Sequence, residues 1–237
     1  MNKEEFFSFL ITNPLTWMIL TLSAYKIGVY VYEKTGKHSF LQPIAIAYVI
    51  MIPTLLLTQI PYEKYFQSVS ILHFFLAPAT VALALPLYKN LRYIKAYFIP
   101  IVVTLFLGGV FTITSAVFIL WLFDAQVVTM LSISTKSITA PIAIITAQDI
   151  GAIPSLAVGF VVITGLLGAL FGSLIFKLLH VKHEASKGFA LGLISHAIGI
   201  ARAVEISESA AAFAAVAMGL CGIFTAILLP IVIALIS

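Results

Sequence analysis

From Ile99 to Phe123 and again from Ser155 to Phe176 the chain carries no charged residue and is apolar on every helical face. A soluble helix buries one stripe and shows water the other; these stretches have no polar side to show. Segments of this kind need lipid as solvent. Backbone groups in hydrocarbon must be satisfied within the structure, which leaves helices or a closed barrel. Barrel strands alternate apolar and polar residues with a period of two, and the runs here do not. Composition agrees: 62% of residues are hydrophobic and 9% charged, against about 45–50% and about 25% in soluble proteins. The expectation is an all-α polytopic membrane protein.

At about 20 residues per crossing, the apolar runs divide into about eight segments, or seven to eight if one is re-entrant. They are Phe7–Tyr32, Leu41–Ile60, Val69–Tyr88, Ala96–Phe123, Gln126–Gln148, Pro154–Leu179, Gly188–Glu205 and Ala210–Ile236. The N-terminal MNKEEFFSFL is acidic and runs into the first segment without a small-residue cleavage site, so it is expected to be retained as a first span. Connections are short, which predicts one membrane domain over residues 1–237.

Two segments are predicted to be interrupted. The third holds Pro78 and Pro86 within HFFLAPATVALALP, and proline removes a helical hydrogen bond and clashes with the preceding turn. The seventh holds Ser195, His196, Gly199, Arg202 and Glu205 in a run otherwise of Ala and Ile. Broken helices survive in membranes where they line a cavity, so Pro78 and Thr80 join the candidate site. LGGVFT at Leu107–Thr112 resembles LCGIFT at Leu220–Thr225 at four of six positions, hinting at repeat halves over about 41–123 and 154–236.

Charge placement supports opposed halves. The basic connections are Lys34–Lys37, Lys89–Lys95 and Lys177–Lys187; the acidic or neutral ones are Pro61–Tyr65, Asp124, Asp149 and Glu205–Glu208. Eight full crossings would put the third basic connection opposite the first two, against the positive-inside bias. The conflict vanishes if the fifth segment, polar in its middle at SISTKSITAP, enters and leaves by one face. All basic connections then lie in the cytoplasm and the acidic ones outside. The net charge of +4 is thereby a topology signal and not a nucleic-acid one. The outcome is an inverted repeat with interrupted helices, a plan whose sites lie near the midplane.

The candidate substrate contacts are the polar groups inside apolar runs. Lys136 stands among Ser134, Thr135, Ser137 and Thr139, and one ammonium ringed by hydroxyls suits a small carboxylate. Arg202 offers a fork that binds carboxylate through two parallel hydrogen bonds, with Glu205 three residues on to hold it. His196 beside Ser195 has the chemistry to couple a proton. The lone Cys221 allows no intrachain disulfide and has no metal-ligand spacing; no cofactor is expected. No enzyme motif is present, and Ser195 and His196, adjacent on a helix, diverge by about 100°.

Three long motifs, HFFLAPATVALALPLY, TKSITAPIAIITAQDIGAIPSL and SHAIGIARAVEISESAAAFAAVAMGL, together resemble the LrgB/CidB family of membrane proteins, and the likeness extends from about Asn13 to the C-terminus. The family pattern has Gly where Ala77 and Ala197 stand and Pro where Thr135 stands; the alanines would stiffen two of the breaks. Lys136, Ser137, Thr139, Ser195, His196 and Arg202 fall on the family's polar motifs. The resemblance implies one of two roles. One is carriage of small monocarboxylates such as pyruvate, glycolate or glycerate, with a small LrgA/CidA-type membrane partner. The other is antiholin-like regulation of murein hydrolase export without a substrate. It also implies the bacterial cytoplasmic membrane and leaves self-association open. Helix breaks beside cations favour the carrier, since a holin needs only amphipathic spans.

Overall fold

The structure is a computed structural model that describes residues 12–37, 41–75, 84–89 and 91–236, with Pro78 and Val81 placed singly. Among the described residues all regular structure is helical. The chain forms two compact units, Met1–Ala79 and Thr80–Ser237, so the first expected repeat half straddles the division between them.

The first unit holds α1 (Pro14–Lys34), α2 (Pro43–Thr58), α3 (Tyr62–Ser68) and α4 (Ser70–Phe74). Asn13 caps α1 by accepting from Leu15 N at 3.0 Å, and Pro14 follows as the first helical residue, where its missing N–H costs nothing. Trp17, Ala24, Met51 and Val69 make a small core. The Tyr65 ring packs edge-on to Trp17 and its hydroxyl meets Thr21 at 3.0 Å. The third expected segment continues beyond α4 through residues 76–83, most of which lie outside the described set, Thr80 among them.

The second unit begins with the short helices α5 (Ala84–Lys89) and α6 (Leu91–Ala96). It continues through α7 (Phe98–Leu122), α8 (Val127–Ser134), α9 (Ala140–Asp149), α10 (Pro154–Leu178), α11 (Glu184–Ile206) and α12 (Glu208–Ile236). By length and composition four of these, α7, α10, α11 and α12, suffice to cross a membrane, and the chain is a multi-pass membrane protein.

Helix α11 does not cross. His196 has φ 42° and ψ −130°, a left-handed backbone that no helix interior tolerates. A Cβ on Gly199 would overlap the Leu191 carbonyl oxygen. Eight residues of straight helix would separate these groups by about 12 Å, so the chain folds back at His196. Residues 184–195 and 197–206 are two half-helices of about 18 and 15 Å, each too short for a hydrocarbon layer of about 30 Å.

Three long helices fix the directions. Gly172, Gly168 and Gly165 of α10 abut Leu191, Ser195 and His196 in turn, so α10 runs antiparallel to residues 184–195. Gly188 and Gly192 abut the backbone at Ala210 and Ala214, so α12 runs parallel to them. Tyr97 packs on Phe213 and Phe106 on Phe224, so α7 is parallel to α12. Helices α7 and α12 therefore begin at the end where α10 finishes. The hairpin of α11 enters and leaves by that end.

The hairpin of α8 and α9 enters from the other. Ser132 accepts from the Ile153 backbone N–H at 3.1 Å, although a continuous α-helix would set 132 and 149 alone about 25 Å apart. The break falls at Thr135–Thr139, where the polar sequence led us to expect a re-entrant tip.

Two expectations change. The seventh segment was expected to cross and instead reverses, because the backbone at His196 turns left-handed. The acidic connection Glu205–Glu208 consequently shares an end with basic Lys177–Lys187, not the opposite face. Acidic residues weigh little in the positive-inside bias. As expected, two of the basic connections share an end: Lys89–Lys95 leads into the start of α7, and Lys177–Lys187 joins α10 to α11. Cysteines replacing Arg92 and Lys182 should react with an impermeant maleimide from the cytoplasm, and one replacing Asp124 from outside. Labelling of Arg92→Cys and Lys182→Cys from opposite faces would contradict the fold.

Candidate functional site

The two hairpin tips reach one core near mid-depth. The His196 ring nitrogen Nε2 lies 2.9 Å from the Val161 carbonyl oxygen; a carbonyl only accepts, so Nε2 carries the hydrogen. Gly165, near the middle of α10, lets the imidazole approach, since a Cβ there would stand 2.7 Å from its Cε1. Val161 shares one core with Ile138 of the first tip, Leu193 beside the second, and Val216, Ala217 and Cys221 of α12. Ile142, two residues inside α9, reaches Gly222 at the centre of α12.

Hydroxyls surround this core. Ser132, Ser134 and Thr135 are buried and turn back to donate to the Val128, Leu131 and Ser132 carbonyls at 2.7, 2.6 and 2.9 Å. The bonds to Leu131 and Ser132 satisfy carbonyls at the open C-terminal end of α8. Lys136 is half-buried and donates through Nζ to Ser137 Oγ at 3.4 Å. Thr139 is the N-cap of α9, yet its side chain makes no capping bond. Thr139 Oγ1 and Ser195 Oγ are both buried with no hydrogen-bond partner among the described residues. A buried hydroxyl left unpaired costs roughly 1–3 kcal/mol, so one at each tip marks the tips as polar positions awaiting a partner.

The half-helices add a field. The N-terminal ends of α9 and of residues 197–206 point into the core at mid-depth, alongside the C-terminal ends of α8 and of residues 184–195. The former present partial positive charge and free N–H groups, the latter negative charge and carbonyls. Such a pair of ends can take an anion and a cation side by side.

Of the sequence-derived candidates, Lys136, Ser137, Thr139, Ser195 and His196 lie on the two tips. Arg202 does not join them. It donates through Nε and Nη2 to Ser173 Oγ at 3.3 and 3.1 Å and pairs through Nη1 with Glu205. Ser173 is eight residues along α10 from Gly165, about 12 Å. The guanidinium thus fastens the returning half-helix to α10. Pro78 is exposed in the first unit, and Thr80 lies outside the described residues. Sequence reasoning passed over Val161 and Gly165; the spacing of Gly165, Gly168 and Gly172 was the available sign that a backbone approaches α10 closely.

His196 permits a direct check of the turn. In a helix, alanine is more stable than glycine by about 1 kcal/mol; at positive φ the order reverses. His196→Gly and His196→Ala both lose the Val161 bond, but the glycine variant should be the more stable by about 1 kcal/mol. Thermal unfolding in detergent measures this, and an alanine variant at least as stable as the glycine one would contradict a left-handed His196.

The family model described as "LrgB-like family" matches residues 21–235. An uncharacterized protein YxaC of Bacillus subtilis (strain 168) is 34% identical over 216 residues, 91% of this chain and 94% of that protein. The antiholin-like protein LrgB of the same strain is 30% identical over 225 residues, covering 95% and 97%. The antiholin-like protein LrgB of Bacillus mycoides (strain KBAB4) is 29% identical over 218 residues, covering 92% and 95%. No solved structure matches the chain.

Proposed function

Since the chain belongs to the LrgB-like family, we propose that it is a secondary transporter of small monocarboxylates, of the pyruvate, glycolate or glycerate kind, in the bacterial cytoplasmic membrane. The observation that carries this reading is that two re-entrant tips reach one core near mid-depth, each with an unpaired buried hydroxyl, Thr139 and Ser195. Lys136 supplies the one cation near the first tip. A carboxylate held by Lys136 Nζ, the tip hydroxyls and the N-terminal N–H groups of α9 would satisfy all of them. His196 would respond to a coupling proton.

We read the two hairpins, entering from opposite ends, as partners in an inverted repeat. With α1, α2 and the third segment, the chain then has eight membrane segments, two of them re-entrant. We assign it no enzymatic activity, and we take a small LrgA/CidA-type membrane protein as its working partner.

The printed names of two relatives, antiholin-like protein LrgB, favour a second reading, in which the chain modulates murein hydrolase release and moves no substrate. Uptake into proteoliposomes separates the two. The chain should take up labelled pyruvate or glycolate with saturation and with competition by unlabelled monocarboxylate, with or without the partner. Flux no greater than in empty vesicles under both conditions would end the carrier reading. Leak of unrelated solutes such as sucrose would make the chain part of a pore.

A further inference from the structure

We propose that the cavity at the base of the second hairpin binds a phosphate group, with the headgroup of an anionic phospholipid as its expected source. The cavity holds about 290 Å³ and is lined by Ser173, Phe176, Lys177, Val181, Lys187 and Ile206. It lies at the end of α10, where the basic connection marks the cytoplasmic surface. Lys177 is 12 residues from Gly165, about 18 Å along the helix, so this site is separate from the tips and independent of what they bind.

Its chemistry is that of a compact anion site with more than one charge to meet. Ser173 Oγ accepts two hydrogen bonds from the Arg202 guanidinium, which leaves its own O–H to donate and polarises it toward an acceptor. Lys177 stands one turn further along α10, on the face that carries Ser173. Lys187, in the first turn of α11, is half-buried. Neither lysine has an ion-pair partner among the described residues. Two ammonium groups around one cavity repel each other, and an anion between them turns that repulsion into attraction.

A phosphodiester spreads one charge over two terminal oxygens, so each lysine can hold one of them while Ser173 donates to a third oxygen. Phe176, Val181 and Ile206 give the cavity an apolar wall suited to the glycerol and acyl stem of a lipid. Basic pockets between helices on the cytoplasmic side are positioned to take anionic headgroups.

The test is thermal unfolding of the purified full-length chain in dodecyl maltoside, titrated separately with phosphatidylglycerol, phosphatidylcholine and inorganic phosphate. Ligand that binds only the folded state raises Tm in proportion to occupancy. Phosphatidylglycerol should raise Tm well above phosphatidylcholine. In K177Q/K187Q its half-effective concentration should rise at least tenfold, with the single variants K177Q and K187Q each showing a severalfold rise if the double variant is unstable. K182Q removes the same charge from the same connection without touching the cavity and should behave as the parent. A comparable rise in Tm with inorganic phosphate alone, lost in the same variants, would identify the source as free phosphate and keep the site. No response to either anion overturns the proposal, as does a K182Q effect as large as that of K177Q/K187Q.

Discussion

Replacing Lys136 by methionine should abolish measurable saturable uptake of monocarboxylate at micromolar concentrations while leaving the folded protein in the membrane. The lysine is the one cation on the tips, half-buried and held toward Ser137. Loss of a hydrogen bond to a charged group is worth about 1.5–3 kcal/mol, or about 10- to 150-fold in affinity. Methionine keeps the length and apolar stem of the side chain, so folding should survive. Apparent affinity, maximal flux and Tm should be compared for Lys136→Met, Lys136→Arg and Arg202→Lys. The arginine at 136 should retain part of the affinity because it retains the charge. Arg202→Lys should keep substrate affinity close to that of the parent, since Arg202 serves Ser173 and Glu205 away from the tips. An affinity loss at Arg202 with none at Lys136 would move the substrate to the base of the second hairpin.

The largest structural effect is expected at Gly192. A Cβ there would overlap the Ala214 carbonyl oxygen, and one at Gly188 the Ala210 carbonyl oxygen. These are backbone atoms of α12, and they can retreat only if the helices part. Close backbone approach through small residues is what drives helix association where lipid removes the hydrophobic difference. Overpacking costs about 1–3 kcal/mol when side chains can give way; here they cannot. Gly192→Ala should destabilise by at least that amount, and Gly192→Leu should eliminate the monodisperse peak in size-exclusion chromatography. Gly159 is the matched control, because nothing stands within 4 Å of its Cβ position. Gly159→Ala should be neutral or stabilising by up to about 1 kcal/mol through helix propensity. Equal melting of the Gly192→Ala and Gly159→Ala variants would refute the close parallel packing.

The membrane class and the long helices were legible because uniform apolar runs admit one secondary structure in lipid. Helices α7, α10 and α12 fall within a few residues of the fourth, sixth and eighth expected segments. The first hairpin was legible too, since SISTKSITAP puts Lys136 and five hydroxyl-bearing residues into the middle of a segment. The second was not. Gly188–Glu205 is long enough to cross and contains no proline, so nothing in its length or local preference distinguishes a crossing from a reversal at His196. What decides it is tertiary: three glycines of α10 and two alanines of α12 leave room for the reversed chain on either side. The pairing of Arg202 with Glu205 was legible, but its distance from the tips was not, for the same reason. On an unbroken helix it would lie about two turns beyond Ser195, but on a reversed one it comes back beside Ser173. For the third segment, most of the interruption expected at Pro78 lies outside the described residues.

The reversal at His196 also bears on how the chain is made. Residues 184–206 are apolar enough, over enough length, to be taken as a crossing as they leave the ribosome. Left as a crossing, they would send α12 into the bilayer the wrong way round. One side of the half-helix 184–195 packs on the backbone at residues 210 and 214, which are synthesised after it. The second hairpin can therefore complete its packing only once α12 has emerged, so its final seating waits on the helix made after it.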